Sequence, residues 1–145
     1  VDPNEELCAR WMQIGTLYPF ARSHSHESYR KKEPWRFGEI MLKTSEVSIK
    51  FRYKLLKFYY SLFIRSKKTG LLFRPLFFEF SDDKSILDSE KVLNSQFLIG
   101  SEIMVTPSFE DGSSYEVYFP KGCWYDLRND SKQIEGSHFV TSEFK

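Results

Sequence analysis

Apolar residues recur at helical spacing near the start of the chain. Leu7, Trp11 and Ile14 lie three or four residues apart, which places them on one side of a helix. Asn4 precedes them and is a residue type that favours the N-cap position, and Gly15 is typical of a helix end. The pattern therefore predicts a helix that begins after Asn4 and ends near Gly15.

A second and longer helix is predicted over residues 40–68, followed by a stop at Thr69-Gly70. Its lysines lie off the apolar stripe, which predicts an amphipathic helix with a buried side and a solvated side. The apolar stripe consists of Val47, Phe51, Leu55, Tyr59 and Phe63, and it is widened by Phe58 and Leu62.

The connection between the two predicted helices has no periodicity over most of its length. Tyr18 to Ser23 reads as a short extended segment, and Ser23 to Lys32 reads as a long polar loop.

The pattern changes after Gly70, where an apolar run over residues 71–80 is followed by short alternating segments separated by turn residues. Helices thus come first and antiparallel strands follow, with a break near residue 75. We predict a helical unit before this break and a β unit after it. The β-like segments are Gln96–Ile99, Glu102–Thr106, Ser114–Phe119 and Trp124–Leu127, with turn signals at Gly100 and Asp111-Gly112.

Composition and charge limit the class of protein. An aromatic content of 17% excludes a disordered chain. No apolar run approaches the roughly 18 residues of a membrane span, so no transmembrane segment is expected. Residues 1–75 hold fifteen Lys/Arg and seven Asp/Glu, a net charge of +8, whereas residues 76–145 hold six and thirteen, a net charge of −7. This asymmetry indicates two units of different composition, or a basic arm that binds a ligand.

The second predicted helix carries many basic residues. Such a face could bind nucleic acid or an anionic membrane surface. A solvated helix face is the commoner explanation, and no nucleic-acid partner is expected. The basic residues are Lys43, Lys50, Arg52, Lys54, Lys57, Arg65, Lys67 and Lys68.

A polar cluster in the long loop contains Arg22, His24 and His26. These residue types suit acid–base work or hydrogen bonds to a substrate, and ordinary surface histidines are the alternative. A metal site would need a further ligand, so no metal is expected. Cys8 and Cys123 are a disulfide or two free thiols, and Asn129-Asp130-Ser131 fits a glycosylation acceptor.

Several stretches resemble α-glucosidases of glycoside hydrolase family 31, in the same order along the chain. The first is the run from Glu6 to His24, and the resemblance extends to about Leu127. The other matching stretches are Arg52-Tyr53-Lys54-Leu55-Leu56, Arg74-Pro75-Leu76-Phe77-Phe78-Glu79-Phe80, Gln96-Phe97-Leu98-Ile99-Gly100, Val105-Thr106-Pro107 and Pro120-Lys121-Gly122 with Trp124-Tyr125-Asp126.

The resemblance implies a fold. Residues 1–75 would be the C-terminal portion of a (β/α)8 TIM barrel, with Tyr18 to Ser23 as the last strand between its last two helices. Residues 76–145 would begin an antiparallel β-sandwich domain. Active sites of such barrels lie at the C-terminal ends of the strands.

The resemblance also implies a function, namely hydrolysis of terminal α-linked glucose from oligosaccharides or N-glycans, with retention of configuration. It implies that His24, in the motif Arg22-Ser23-His24, binds sugar hydroxyls, with Arg22, His26 and Trp35 as secondary candidates. The two catalytic aspartates would lie upstream of this chain, so none of its own residues is expected to be catalytic and the chain alone is expected to be inactive. No cofactor is expected.

The subgroup implied by the resemblance is open. The loop from His24 to Trp35 is similar to that of the glucosidase II α-subunit and neutral α-glucosidases, which implies the endoplasmic reticulum lumen and a non-catalytic β-subunit. Leu17-Tyr18-Pro19-Phe20 and Cys8 look more like the acid maltase branch, where the corresponding Cys pairs with an upstream one; that branch implies a lysosomal or secreted enzyme. A non-catalytic binding relative and an α-xylosidase are the alternatives for function.

Overall fold

A computed structural model of the chain describes residues 4–24, 26–27, 31–66, 70–108, 114–127 and 133–143. The chain divides into two compact units, Val1–Phe73 and Arg74–Lys145. Some sequence features lie outside the described residues, namely Ser25, Lys67, Lys68, Thr69, the Asp111-Gly112 turn and the Asn129-Asp130-Ser131 motif.

The first predicted helix is confirmed as α1, Glu5–Gly15. Its N-cap is Asn4, whose side-chain oxygen accepts a hydrogen bond from the Leu7 amide at 2.7 Å. Such a cap satisfies one of the backbone donors that every helix leaves open at its N-terminus. The helix therefore begins and ends where its capping and stop residues predict.

The second predicted helix is confirmed as α2, Glu39–Arg65, and α1 packs against it. Its N-cap position is Gly38, which has no side chain to offer. Glu5 of α1 caps α2 instead, because its Oε1 accepts a hydrogen bond from the Met41 amide at 3.0 Å. A Cβ on Gly38 would lie 2.5 Å from that same Oε1, so the cap depends on glycine.

The stripe predicted to be the buried side of α2 is wrong at both ends. Val47 is 62% exposed and Phe63 is 56% exposed. A strict spacing of four residues drifts by about 40° per step around a helix of 3.6 residues per turn, so a long stripe leaves the contact line. The buried line alternates steps of three and four, and its buried members are Met41, Ser45, Ser48, Tyr59 and Leu62.

The extended segment predicted over Tyr18 to Ser23 is not a strand in the described part of this connection. Residues 16–20 form turns and bends, and residues 21–24 have no regular structure. A strand exists only where a neighbouring strand supplies its hydrogen bonds, and the described residues of this unit place none beside it. A barrel is therefore not formed within the described chain.

The second unit combines short helices with short strands. Three of the four predicted strand segments are confirmed with small shifts at their ends, and the fourth, Ser114–Phe119, is confirmed over its full length. The first strand, the 3-10 turn, the two helices and the last two strands were not predicted. The elements are β1 (Phe73–Pro75), a 3-10 turn (Leu76–Phe78), α3 (Lys84–Leu87), α4 (Glu90–Ser95), β2 (Phe97–Ile99), β3 (Ile103–Val105), β4 (Ser114–Phe119), β5 (Cys123–Tyr125), β6 (Gln133–Glu135) and β7 (His138–Glu143).

The strands form one three-stranded sheet, in the order β1-β2-β3, and two two-stranded sheets, β4 with β7 and β5 with β6. The pairs β2–β3, β4–β7 and β5–β6 are antiparallel, as predicted for this half of the chain. The apolar core of the unit draws on the 3-10 turn, both short helices and two of the sheets. Its buried members are Leu76, Ile86, Val92, Leu98 and Tyr118.

Candidate functional site

The four candidate residues from the sequence all lie on the connection between α1 and α2. Arg22, His24 and His26 are exposed on its first part. Trp35 is 68% exposed on a single 3-10 turn, Pro34–Arg36, which packs against α2. The structure thus places all four side chains on one solvent-facing connection whose second end is held against α2.

The first end of the connection is held by α2 through an arginine. The guanidinium of Arg52 donates hydrogen bonds to three backbone carbonyl oxygens, those of Thr16 at 2.7 Å, Tyr18 at 2.6 Å and Pro19 at 3.1 Å. The planar fork of an arginine suits several acceptors at once.

A tyrosine about two helical turns further along α2 completes this arrangement. The hydroxyl of Tyr59 donates a hydrogen bond to the Leu17 carbonyl oxygen at 2.5 Å, so the four consecutive carbonyl oxygens of residues 16–19 all accept hydrogen bonds from α2. Arg52 also lies over the Tyr59 ring, 5.6 Å from its centroid. We call this pair the Arg52–Tyr59 clamp.

The tyrosine of the clamp is buried. Tyr59 is 5% exposed, and burial raises the pKa of its hydroxyl, which the positive charge of Arg52 partly opposes. The hydroxyl is therefore a neutral hydrogen-bond donor at physiological pH.

Arg52 does not belong to the basic surface predicted from the sequence. Its guanidinium is turned toward residues 16–19, whereas Lys43, Lys54 and Lys57 are exposed. Lys50 is also exposed and pairs with Glu46 one turn away on α2. The same helix also exposes large apolar side chains, among them Tyr53 and Tyr60, so its exposed side is not purely basic.

Sequence reasoning missed the clamp, although a signal was present. Arg52 and Tyr59 are seven residues apart and lie on the buried line that runs through Ser45 and Ser48. A charged residue on a buried line needs internal acceptors, and loop carbonyls are the acceptors available here.

The carboxylates of the second unit include one with a structural role. Asp83 caps α3, since its Oδ1 accepts a hydrogen bond from the Ser85 amide at 3.0 Å, and its Oδ2 accepts one from the Tyr118 hydroxyl at 2.7 Å. Both oxygens of this side chain are thereby engaged in holding the fold.

Three further observations concern the described residues alone. They hold no cluster of three or more His, Cys, Asp or Glu suited to a metal ion. Neither Cys8 nor Cys123 is in a disulfide there. None of the described helices has the length and apolar character needed to cross a membrane.

Two family models match the chain, one after the other. The model of the glycosyl hydrolases family 31 TIM-barrel domain matches residues 1–62, and that of the glycosyl hydrolase family 31 C-terminal domain matches residues 70–144.

Curated proteins with similar sequences include glucosidases from distant organisms. A probable glucan 1,3-alpha-glucosidase of Oryza sativa is 39% identical over 133 residues, covering 90% of this chain and 14% of that protein. The lysosomal acid alpha-glucosidase of Tetrahymena pyriformis is 37% identical over 147 residues, covering 94% and 16%. The chain thus spans about one seventh of the length of these relatives.

Solved structures share the fold. A GH31 dextranase of Flavobacterium johnsoniae, complexed with glucose, superposes with a TM-score of 0.86 at 36% identity, covering 96% of this chain and 17% of that one. A GH31 alpha-xylosidase from a soil metagenome, complexed with xylose, superposes with a TM-score of 0.79 at 27% identity, covering 98% and 24%.

Proposed function

The chain belongs to glycoside hydrolase family 31, as its sequence motifs predicted, and on that basis we propose that it is part of a retaining α-glucosidase. The observation that carries the proposal is the order of the two family matches, barrel domain then C-terminal domain, along one short chain. The names of the curated relatives favour terminal α-linked glucose as the substrate class.

In this proposal residues 1–75 are the last part of the catalytic barrel and residues 76–145 begin the adjoining β domain. Residues 18–23 would become the last barrel strand once neighbouring strands supply its hydrogen bonds. Its C-terminal end would then lead into His24, at the edge of a barrel where ligands bind.

His24 is proposed to hold hydroxyls of the bound sugar, with Arg22, His26 and Trp35 in supporting positions. An imidazole can donate to one hydroxyl and accept from another, and an exposed tryptophan offers an apolar face for a sugar ring. Fixing the ring relative to the reacting groups lowers the entropic part of the barrier.

The chemistry itself is proposed to come from two aspartates outside this chain. Retaining glycosidases place two carboxyl groups about 5–5.5 Å apart, one as nucleophile and the other as acid and base. Asp83, with both oxygens engaged in the fold, is unsuited to either role.

Two cellular locations are proposed for the whole protein. Lysosomal alpha-glucosidases among the relatives support a lysosomal or secreted enzyme. The glucosidase II-like loop between His24 and Trp35 instead supports the endoplasmic reticulum and a β-subunit.

Proton NMR of the reaction tests the function. The full-length protein that contains this chain is expected to release α-glucose first from an aryl α-glucoside, with the β-anomer appearing only by mutarotation. Initial release of β-glucose would contradict the retaining mechanism, and binding without turnover would favour a non-catalytic relative.

An α-xylosidase is the second candidate, favoured by the similarity to the soil metagenome enzyme that binds xylose. Aryl α-xyloside and aryl α-glucoside differ by one hydroxymethyl group. The ratio of their kcat/KM values assigns the substrate, and a preference for the glucoside is expected.

A further inference from the structure

We infer that the Arg52–Tyr59 clamp positions the proposed sugar-binding loop, so that both residues act on turnover through His24. The inference rests on the proposed function, since it assumes that His24 contacts the sugar. It concerns two residues of α2 that are positioning residues and do not themselves touch substrate.

The clamp is not needed to finish α1. The last carbonyl oxygens of that helix are already satisfied by local donors. Met12 and Ile14 accept from the amides of Thr16 and Leu17 at 3.1 and 3.0 Å, Gly15 accepts from the Tyr18 amide at 3.2 Å, and Gln13 accepts from the Thr16 hydroxyl at 2.8 Å.

The clamp therefore acts only on the segment that leaves the helix. The carbonyl oxygens to which it donates hydrogen bonds, those of residues 16–19, follow α1 and precede His24. Four consecutive carbonyls tied to one rigid helix leave the backbone of this segment little freedom to rotate, which fixes the direction in which the chain continues.

A change in the direction of the backbone at residues 16–19 would move His24. His24 is the fifth residue after Pro19, and an extended chain of that length spans at most about 17 Å. A small rotation at Pro19 thus displaces the imidazole by an ångström or more. Misplacement of about 1 Å costs on the order of 100-fold in rate when it affects a group that orients the substrate.

The test is a double-mutant cycle in the full-length protein that contains this chain. Arg52→Lys keeps the charge but lacks the fork that serves three carbonyls, and it should lower kcat/KM by about tenfold or more. In a His24→Ala background the same change should lower kcat/KM by less than about threefold, because coupled residues give non-additive effects.

Tyr59→Phe provides a second arm, because it removes one hydroxyl and keeps the ring beneath Arg52. When His24 is present, Tyr59→Phe is expected to lower kcat/KM by a factor similar to that of Arg52→Lys. In the His24→Ala background it is expected to lower kcat/KM by less than about threefold. Its circular dichroism spectrum should match that of the unsubstituted protein, so the arm remains informative if Arg52→Lys does not fold.

The outcomes separate the two claims. If His24→Ala lowers kcat/KM but the losses from Arg52→Lys and Tyr59→Phe multiply with it, or are absent, the positioning role is overturned and the proposed function stands. If His24→Ala has no effect, the sugar-binding role and the positioning role fall together. Non-additivity in either arm supports the inference.

Discussion

The side-chain amide of Gln96 bonds both backbone groups of Tyr118. Its Nε2 donates to the Tyr118 carbonyl oxygen at 2.8 Å, and its Oε1 accepts from the Tyr118 amide at 2.9 Å. Gln96 comes directly before β2 and Tyr118 lies in β4, so one side chain replaces the ladder that a neighbouring strand would provide. Both residues are buried, which makes the two bonds costly to lose.

Gln96→Leu is therefore expected to destabilise the second unit. It leaves a buried donor and a buried acceptor of Tyr118 unpaired, at about 1–3 kcal/mol for each. Hydrogen exchange of the peptide that contains residues 114–119 measures the effect directly. Faster exchange is expected there, and the matched exposed change Gln13→Leu on α1 should leave exchange in that peptide as it was.

Alkaline pH should weaken the second unit through Tyr118. Burial, and then the hydrogen bond to Asp83, raise the pKa of its hydroxyl above the ordinary 10.0. A group whose pKa is raised in the folded state stabilises it fully below the unfolded-state pKa, and that contribution is lost as pH rises through the folded-state pKa.

Thermal unfolding at pH 8 and pH 11 measures this loss. Tyr118→Phe should lower the midpoint at pH 8 and reduce the further fall between the two pH values. An equal fall in both proteins would show that Tyr118 does not titrate with unfolding.

Gly38→Ala should disrupt the N-terminal cap that Glu5 provides to α2. The new Cβ would displace the carboxylate from the Met41 amide, and loss of an N-cap typically costs about 1 kcal/mol. Chemical denaturation of the protein measures this change, with Gly15→Ala as the control. No atom lies within 4 Å of a Cβ at Gly15, so that change should be neutral or stabilising by about 0.5–1 kcal/mol.

A Glu5→Ala background separates the cap from a general steric effect. Gly38→Ala should then add little further loss, because the carboxylate it displaces is already gone. A full additional loss in that background would contradict the assigned cap.

The 145-residue chain alone is expected to hydrolyse no α-glucoside, because the proposed aspartates lie outside it. Release of glucose from an aryl α-glucoside, followed at high protein concentration, checks this. Turnover above that of buffer would place the catalytic groups within the chain.

Local signals in the sequence were sufficient for the elements whose causes are local. Asn4 and Gly15 mark the start and the end of α1, and the alternation of polar and apolar residues over Ser114–Phe119 marks β4. The two short helices α3 and α4 were missed because only four and six residues form them, although Asp83 and Ser89 cap them. Runs this short carry no helical periodicity to detect.

Features set by distant partners could not be read from the sequence. Strand β7 depends on pairing with β4, as in the match of Val117 with Val140. The cap of α2 comes from Glu5, 36 residues before Met41. The positions of His24 and Trp35 on one connection were predicted. The clamp that holds residues 16–19 was found only in the structure, because Arg52 resembles a surface residue when charge alone is counted.

The most direct test of the account is the effect of His24→Ala on kcat/KM for an aryl α-glucoside in the full-length protein, beside His138→Ala as an exposed control on β7. Loss of at least about tenfold is expected for His24→Ala with an unchanged circular dichroism spectrum, since it removes the hydrogen bonds that are proposed to orient the sugar. His138→Ala should leave kcat/KM unchanged. Equal kcat/KM for His24→Ala and the unsubstituted protein would contradict the account.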